Sequence, residues 1–260
     1  MVTALAVDLG SSSGRIVAGT FGDGRVEEVE VRRFPHQARM VDGYLAWDLD
    51  FIWSEIVAGL RDAVARFPDA VSVSVDTWGV DHVPLDADGN RVTPGRAYRD
   101  LRTARTHEAF RARLSDDAAW AAAGIAPATI NTANQLFAFL TEEPDAAAAT
   151  AQVLMLPDYF TFLLSGERGW SRSHTSSSGL CRPGAREFSG EALEALGIPR
   201  RWFGEITEEH TVVGPCVVEG LGRLTVVRAG AHDTACAVHA LQRDVARESY
   251  FLSCGSWSVL

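Results

Sequence analysis

The run Leu5–Arg15, LAVDLGSSSGR, restricts this chain more than any other stretch. Leu5–Val7 reads as a buried strand that delivers Asp8 to its C-terminal end. Gly10-Ser11-Ser12-Ser13-Gly14 then makes a tight turn of small residues and hydroxyls. The chain does not enter a helix after that turn. Ile16–Phe21, IVAGTF, has the β-branched and small residues of a second strand. A P-loop (G-x-x-x-x-G-K-[ST]) and a dinucleotide loop (G-x-G-x-x-G) both need a helix at this point, and neither spacing is present. The remaining possibility is a strand–loop–strand hairpin. Its tip can aim backbone N–H groups and serine hydroxyls at an anion, with Asp8 placed to hold a Mg²⁺ that bridges phosphate oxygens. Ordinary turn chemistry explains the same Gly and Ser residues equally well.

Composition narrows the function classes. The net charge of −10 disfavours a sequence-independent grip on nucleic acid, which needs a basic face. No apolar run reaches the roughly 18 residues of a membrane span, and the N-terminus enters a strand pattern with no signal-like region; a cytoplasmic location is expected. Cys181, Cys216, Cys236 and Cys254 form no C-x-x-C pair, which argues against zinc or a disulfide framework and fits reduced thiols.

Along the chain, Leu5–Val7, Ile16–Phe21 and Val26–Phe34 read as a three-strand meander, the second turn being Gly22-Asp23-Gly24. Asp48 or Asp50 caps a helix whose apolar residues Ile52, Trp53, Ile56, Val57, Leu60 and Val64 fall at helical spacing, and Phe67-Pro68 ends it. Val71–Val75 alternates as a strand ending at Asp76, and Val83–Leu85 is another. Helices are expected over Leu101–Leu114, Asp117–Ala123, Asn134–Leu140 and Ala146–Ala149. Pro157 and Gly166 bracket one more, over Asp158–Leu164. Trp170–Gly179 reads as an ordered loop, Ser189–Leu196 as a helix stopped by Gly197, and Leu224–Val227 as a strand. His232-Asp233-Thr234 opens a helix over Ala235–Leu241. Tyr250–Leu260 reads as a strand, a turn and the start of a hairpin partner, so the chain is expected to be a piece of something longer. Strands succeeded by strand–helix alternation indicate an α/β fold with a mixed sheet.

The chemistry-bearing candidates sit at element ends. Asp233, at a helix mouth after Ala229-Gly230-Ala231, can accept the proton of an attacking hydroxyl; helix capping explains it too. Asp8, Asp76 and Asp81 lie at strand ends, where ligands gather in α/β folds. Tyr98-Arg99-Asp100-Leu101-Arg102 could fork onto sugar hydroxyls or simply start a helix, and Thr175–Ser178 could line a pocket or be a polar loop. Trp47, Trp78 and Trp120 read as core in preference to sugar-stacking platforms.

Taken in order, VDLGSSSGR, DGYLAWDLD, VDTWGVDHVPLD, YRDLRT, LMLPDYFTFLLSG, AGAHDTACAV and LSCGSWS resemble the FGGY carbohydrate kinases, most closely their rhamnulokinase branch. The resemblance implies an actin-like (ribonuclease H-like) α/β fold with two domains and a cleft between them. Residues 1–245 would be the N-terminal domain and 246–260 the opening of the second, whose missing part supplies the adenosine site. It further implies ATP-dependent phosphorylation of a ketose at a primary hydroxyl, L-rhamnulose to L-rhamnulose 1-phosphate. Another FGGY kinase activity (on fuculose or xylulose) or a non-catalytic sugar-binding fragment are the alternatives. By the same resemblance Ser11, Ser12, Ser13, Gly14, Arg15 and Ser256 would contact ATP. Asp8 would hold Mg²⁺, Gly79, His232, Asp233 and Thr234 would contact the sugar, and Asp233 would be the base. TSSSG at 175–179 and His82 depart from the family's usual pattern and leave the sugar open.

Overall fold

A computed structural model describes residues 1–241, 250–254, 258 and 259. Its organising element is a six-stranded mixed sheet. Strands β1 (Val2–Leu9), β2 (Ser13–Gly22) and β3 (Arg25–Pro35) form the expected antiparallel meander. Asp23 (φ 49°) and Gly24 (φ 74°) both take the left-handed conformation that a two-residue turn between twisted strands requires. Helix α1 (Leu49–Arg66) comes next, with Asp48 accepting a hydrogen bond from the Phe51 amide at 2.9 Å as its N-cap. The chain then returns through β4 (Ala70–Thr77), which lies parallel to β1. Across the sheet the order is β5 (Thr211–Pro215), β6 (Thr225–Arg228), β4, β1, β2, β3.

The alternation of β1 decides the layering. Leu5, Val7 and Leu9 point to one face and are buried, whereas Ala4, Ala6 and Asp8 point to the other and are half-buried. The buried face meets Ile52, Ile56 and Leu60 of α1, each fully buried and each contributing about 1.5–3 kcal/mol by leaving water. Trp53, Val57 and Val64, expected on the same face, lie at its margin and are half-buried. Helix α2 (Leu156–Ser165), closed by Gly166 at φ 76°, packs near β4 and β6. Helix α3 (Asp233–Leu241) succeeds β6.

Three expectations are corrected. Trp170–Gly179 is not only loop: Trp170–Ser171 pairs parallel with Ile206–Thr207, and Arg172–Thr175 forms a helical turn. Trp120 is 56 % exposed, because its helix, Asp116–Ala123, turns Ala119, Ala122 and Ala123 inward instead. Tyr250–Leu252 is not strand; Ser253–Cys254 pairs with Ser258–Val259 and so has a partner within the chain. The edge strand β5 is an addition: its β-branched run is only Thr211-Val212-Val213 before Gly214-Pro215 ends it.

Candidate active site

The sheet register builds the first part of the site. Arg15 on β2, Asp8 on β1 and Asp76 on β4 are cross-strand partners in one row. Arg15 Nη2 lies 2.5 Å from Asp8 Oδ2. Just beyond this row, the Trp78 amide donates to the Leu9 carbonyl at 2.9 Å, and the Thr77 amide donates to the Ala231 carbonyl at 3.0 Å. This last bond docks the Ala229–Ala231 loop on the end of β4, with Thr77 and His232 bridged in parallel. The sheet therefore carries the mouth of α3 to the strand ends that bear Asp8 and Asp76.

Electrostatics agree with that proximity. Burial, together with the charges of Asp8 and Asp233, drives the Asp76 carboxyl well above its ordinary range, with Arg15 opposing. Burial also raises Asp8, Arg15 pulls it back, and Asp233 adds to the rise. Asp233 moves the other way. Burial would raise it, but the hydrogen bond and charge of His232, with the Thr234 amide and hydroxyl, outweigh that and hold it below the usual carboxylate value. His232 Nδ1 is 2.8 Å from Asp233 Oδ1, and the Thr234 amide donates to the same oxygen at 2.6 Å. An aspartate so held is ionised at neutral pH and can take a proton. Burial and the carboxylates of Asp76, Glu209, Asp233 and Asp8 push the Cys236 thiol up, so it stays protonated within the same acidic field.

Gly79 is glycine because of this arrangement. A Cβ there would lie 2.5 Å from His232 Nε2. Gly14 is glycine for packing: it is buried on β2, and a Cβ would run into the Phe34 ring. Ser11 and Ser12 line a cavity of about 800 Å³ with His36, Trp47, Asp48, Phe51 and Arg99. The Ser13 carbonyl accepts from the Gly10 amide at 3.0 Å and closes the turn. Ser256 lies outside the described residues.

Other candidates resolve as framework. Asp100 accepts from the Leu45 and Arg102 amides at 2.5 and 2.8 Å, and Arg102, 1 % exposed, donates to the Ala97 carbonyl and to Gln135 Oε1. Thr175 and Ser178 are fully buried. Asp81 Oδ2 accepts both the Trp47 and Trp78 indole N–H groups at 2.7 Å. Sequence reasoning missed Ser173, whose hydroxyl oxygen accepts the Ala231 and His232 amides at 3.0 and 3.2 Å and shapes the loop before Asp233. It also missed His174, whose Nε2 donates to the Trp78 carbonyl at 3.1 Å with its ring centroid 6.0 Å from that of His232. A Ser/Thr-rich segment offers no periodicity that singles either out.

A family model described as the FGGY family of carbohydrate kinases, N-terminal domain, matches residues 3–239. The chain belongs to the FGGY family. Rhamnulokinases of Oceanobacillus iheyensis and Pectobacterium atrosepticum are 33 % and 35 % identical to it, each over 98 % of this chain but 55 % and 52 % of their own lengths. This FGGY chain thus spans about half the length of the curated relatives it matches. Among solved structures, xylulose kinases from Lactobacillus acidophilus and Rhodospirillum rubrum superpose with TM-scores of 0.81 and 0.78 at 13 % and 21 % identity. The matches cover 93 % and 92 % of this chain and 50 % and 51 % of theirs. At that identity the likeness is one of fold, and it bears out the actin-like α/β class expected of an FGGY first domain. No helix among the described residues is long and apolar enough to cross a membrane.

Proposed function

We propose that this chain is the N-terminal half of an ATP-dependent ketose kinase, with L-rhamnulose as substrate and its primary hydroxyl as acceptor. The observation that carries the reading is the docking of the Asp233 helix mouth on the strand ends that bear Asp8 and Asp76, where the Asp233 charge raises both of those carboxyls. Similarity to rhamnulokinases at 33 % and 35 % identity supports the choice of sugar. The domain division at 245/246 and Ser256 as a nucleotide contact belong to the same proposal.

In the proposed mechanism His232 and the Thr234 amide hold Asp233 ionised and oriented. Asp233 takes the proton of the attacking hydroxyl, while Gly79 leaves the space that His232 occupies. The Ser11–Arg15 turn receives the phosphates, and Arg15, ion-paired with Asp8, brings positive charge to the same strand ends. Among the described residues no group of three or more His, Cys, Asp or Glu is placed to hold a metal by itself. Mg²⁺ binds through one or two carboxylates and completes its shell with substrate phosphates and water, and the half-buried Asp8 carboxylate at the strand end is a donor of that kind. Asp8, with Asp76 beside it, would hold the ion, which when bound neutralises charge on the transferring phosphoryl group.

The test is Asp233→Asn in the full-length protein. Turnover of L-rhamnulose is expected to fall by about 10²–10⁴-fold while sugar binding by calorimetry persists. A near-normal rate would remove Asp233 as base. Faster turnover of xylulose or fuculose in an ADP-release assay would reassign the sugar.

A further inference from the structure

His36 lies just past the end of β3, 8 % exposed, and neither the sequence motifs nor the proposed mechanism uses it. It grips the serine turn twice. Its ring Nε2 is 2.9 Å from the Gly10 carbonyl, and its backbone amide donates to the Ser12 carbonyl at 3.1 Å. A carbonyl can only accept, so Nε2 carries the proton and Nδ1, buried without a partner, is bare. Burial lowers the imidazole's pKa against the pull of the Gly10 bond, which keeps this neutral form in place.

The other side of the ring is fixed as well. His36 packs edge-on to Trp47 at a centroid distance of 5.5 Å and lies 5.2 Å from Trp78, and both indoles are tied to the buried Asp81 carboxylate. Trp78 in turn precedes Gly79 and donates its amide to Leu9, the residue after Asp8. His36 thus bonds the serine turn on one side and packs on the Trp47–Trp78 pair on the other.

From this we infer that His36 is a positioning residue for the phosphate turn. It holds the 10–13 backbone in one conformation, and it indexes that turn to the strand end bearing Asp8. The inference rests on the kinase reading for its functional consequence, but the structural part stands apart from it. The effect is on nucleotide phosphates, because the bonded atoms belong to Gly10 and Ser12 and none belongs to the His232–Thr234 segment.

Two variants of the full-length protein test it. His36→Phe keeps an aromatic ring against the Trp47–Trp78 pair and loses the donor; His36→Gln restores a donor near the Nε2 position. In His36→Phe, kcat/KM for ATP is expected to fall about tenfold, the scale of one lost buried hydrogen bond, with KM for the ketose changed less than about twofold. His36→Gln is expected to recover to within about threefold of wild type. Amide exchange over residues 10–13 is expected to speed about tenfold in the Phe variant only, with the rest of the sheet unchanged. Unchanged exchange in the turn, equal damage from both variants, or a matching rise in ketose KM would each overturn the inference. If the wild-type protein phosphorylates no sugar, the kinase reading fails and the exchange measurement alone still decides the role of His36.

Discussion

Asp81 and Asp233 are both aspartates at the end of an element, yet their surroundings give them opposite characters. Asp233 has a histidine and an amide to hold its charge. Asp81 is fully buried, and burial raises its carboxyl to about 6 even though the Trp78 and Trp47 indoles stabilise the anion. Unfolded Asp81 loses its proton near about 3.9, folded Asp81 near 6, so the folded state binds the extra proton between those values. Wild type therefore gains stability relative to Asp81→Asn as pH falls from about 7 to about 4, by about 1.4 kcal/mol per unit below about 6. Melting temperatures of both proteins across that range check it; a gap independent of pH would mean that Asp81 titrates normally. Both residues were visible in the sequence as strand-end or helix-end acids. What separated them was the partner each meets, Trp47 from 34 positions away and His232 from the preceding position, and the first kind of pairing leaves no local trace.

Among the elements, α1 shows how a helix can be legible and its packing hidden. Its cap, its apolar period and its stop at Phe67-Pro68 come from local rules. Gly59 contradicts those rules, since Ala is the better helix former by about 1 kcal/mol. In the fold a Cβ at Gly59 would collide with Ile16 of β2 and lie 2.9 Å from Arg32 Cδ of β3. Gly59→Ala is therefore expected to destabilise by about 1–3 kcal/mol in urea unfolding despite the gain in propensity. A stabilised variant would show that the helix shifts freely off the sheet. The short strand β5 escaped sequence reading for a related reason. Thr211–Pro215 is five residues at a sheet edge, whose three β-branched residues are too short a run to stand out, and its pairing with β6 fixes it as a strand.

On the scale of the whole molecule, the chain covers about half the length of its rhamnulokinase relatives. The 260 residues by themselves are expected to release little ADP with any ketose, since the proposed reading puts the adenosine contacts in the part of the relatives' length that this chain does not cover. Robust ketose-dependent ADP release from this chain alone, in a coupled assay, would refute the two-domain reading.

The residues dictated the hairpin without a helix, the amphipathic α1, the caps at Asp48 and Gly166, and the motifs that place the chain among FGGY kinases. These are short-range: each is settled by a few neighbours along the chain, through backbone sterics, turn geometry and the period of apolar side chains. Only the tertiary structure decided that Asp8 and Asp76 stand side by side, that Asp233 joins them, that Asp100, Arg102 and Asp81 are framework, and that His36 and Ser173 brace the loops. Those outcomes depend on parallel register and loop docking, where charge and burial act across space between residues that sequence spacing never relates.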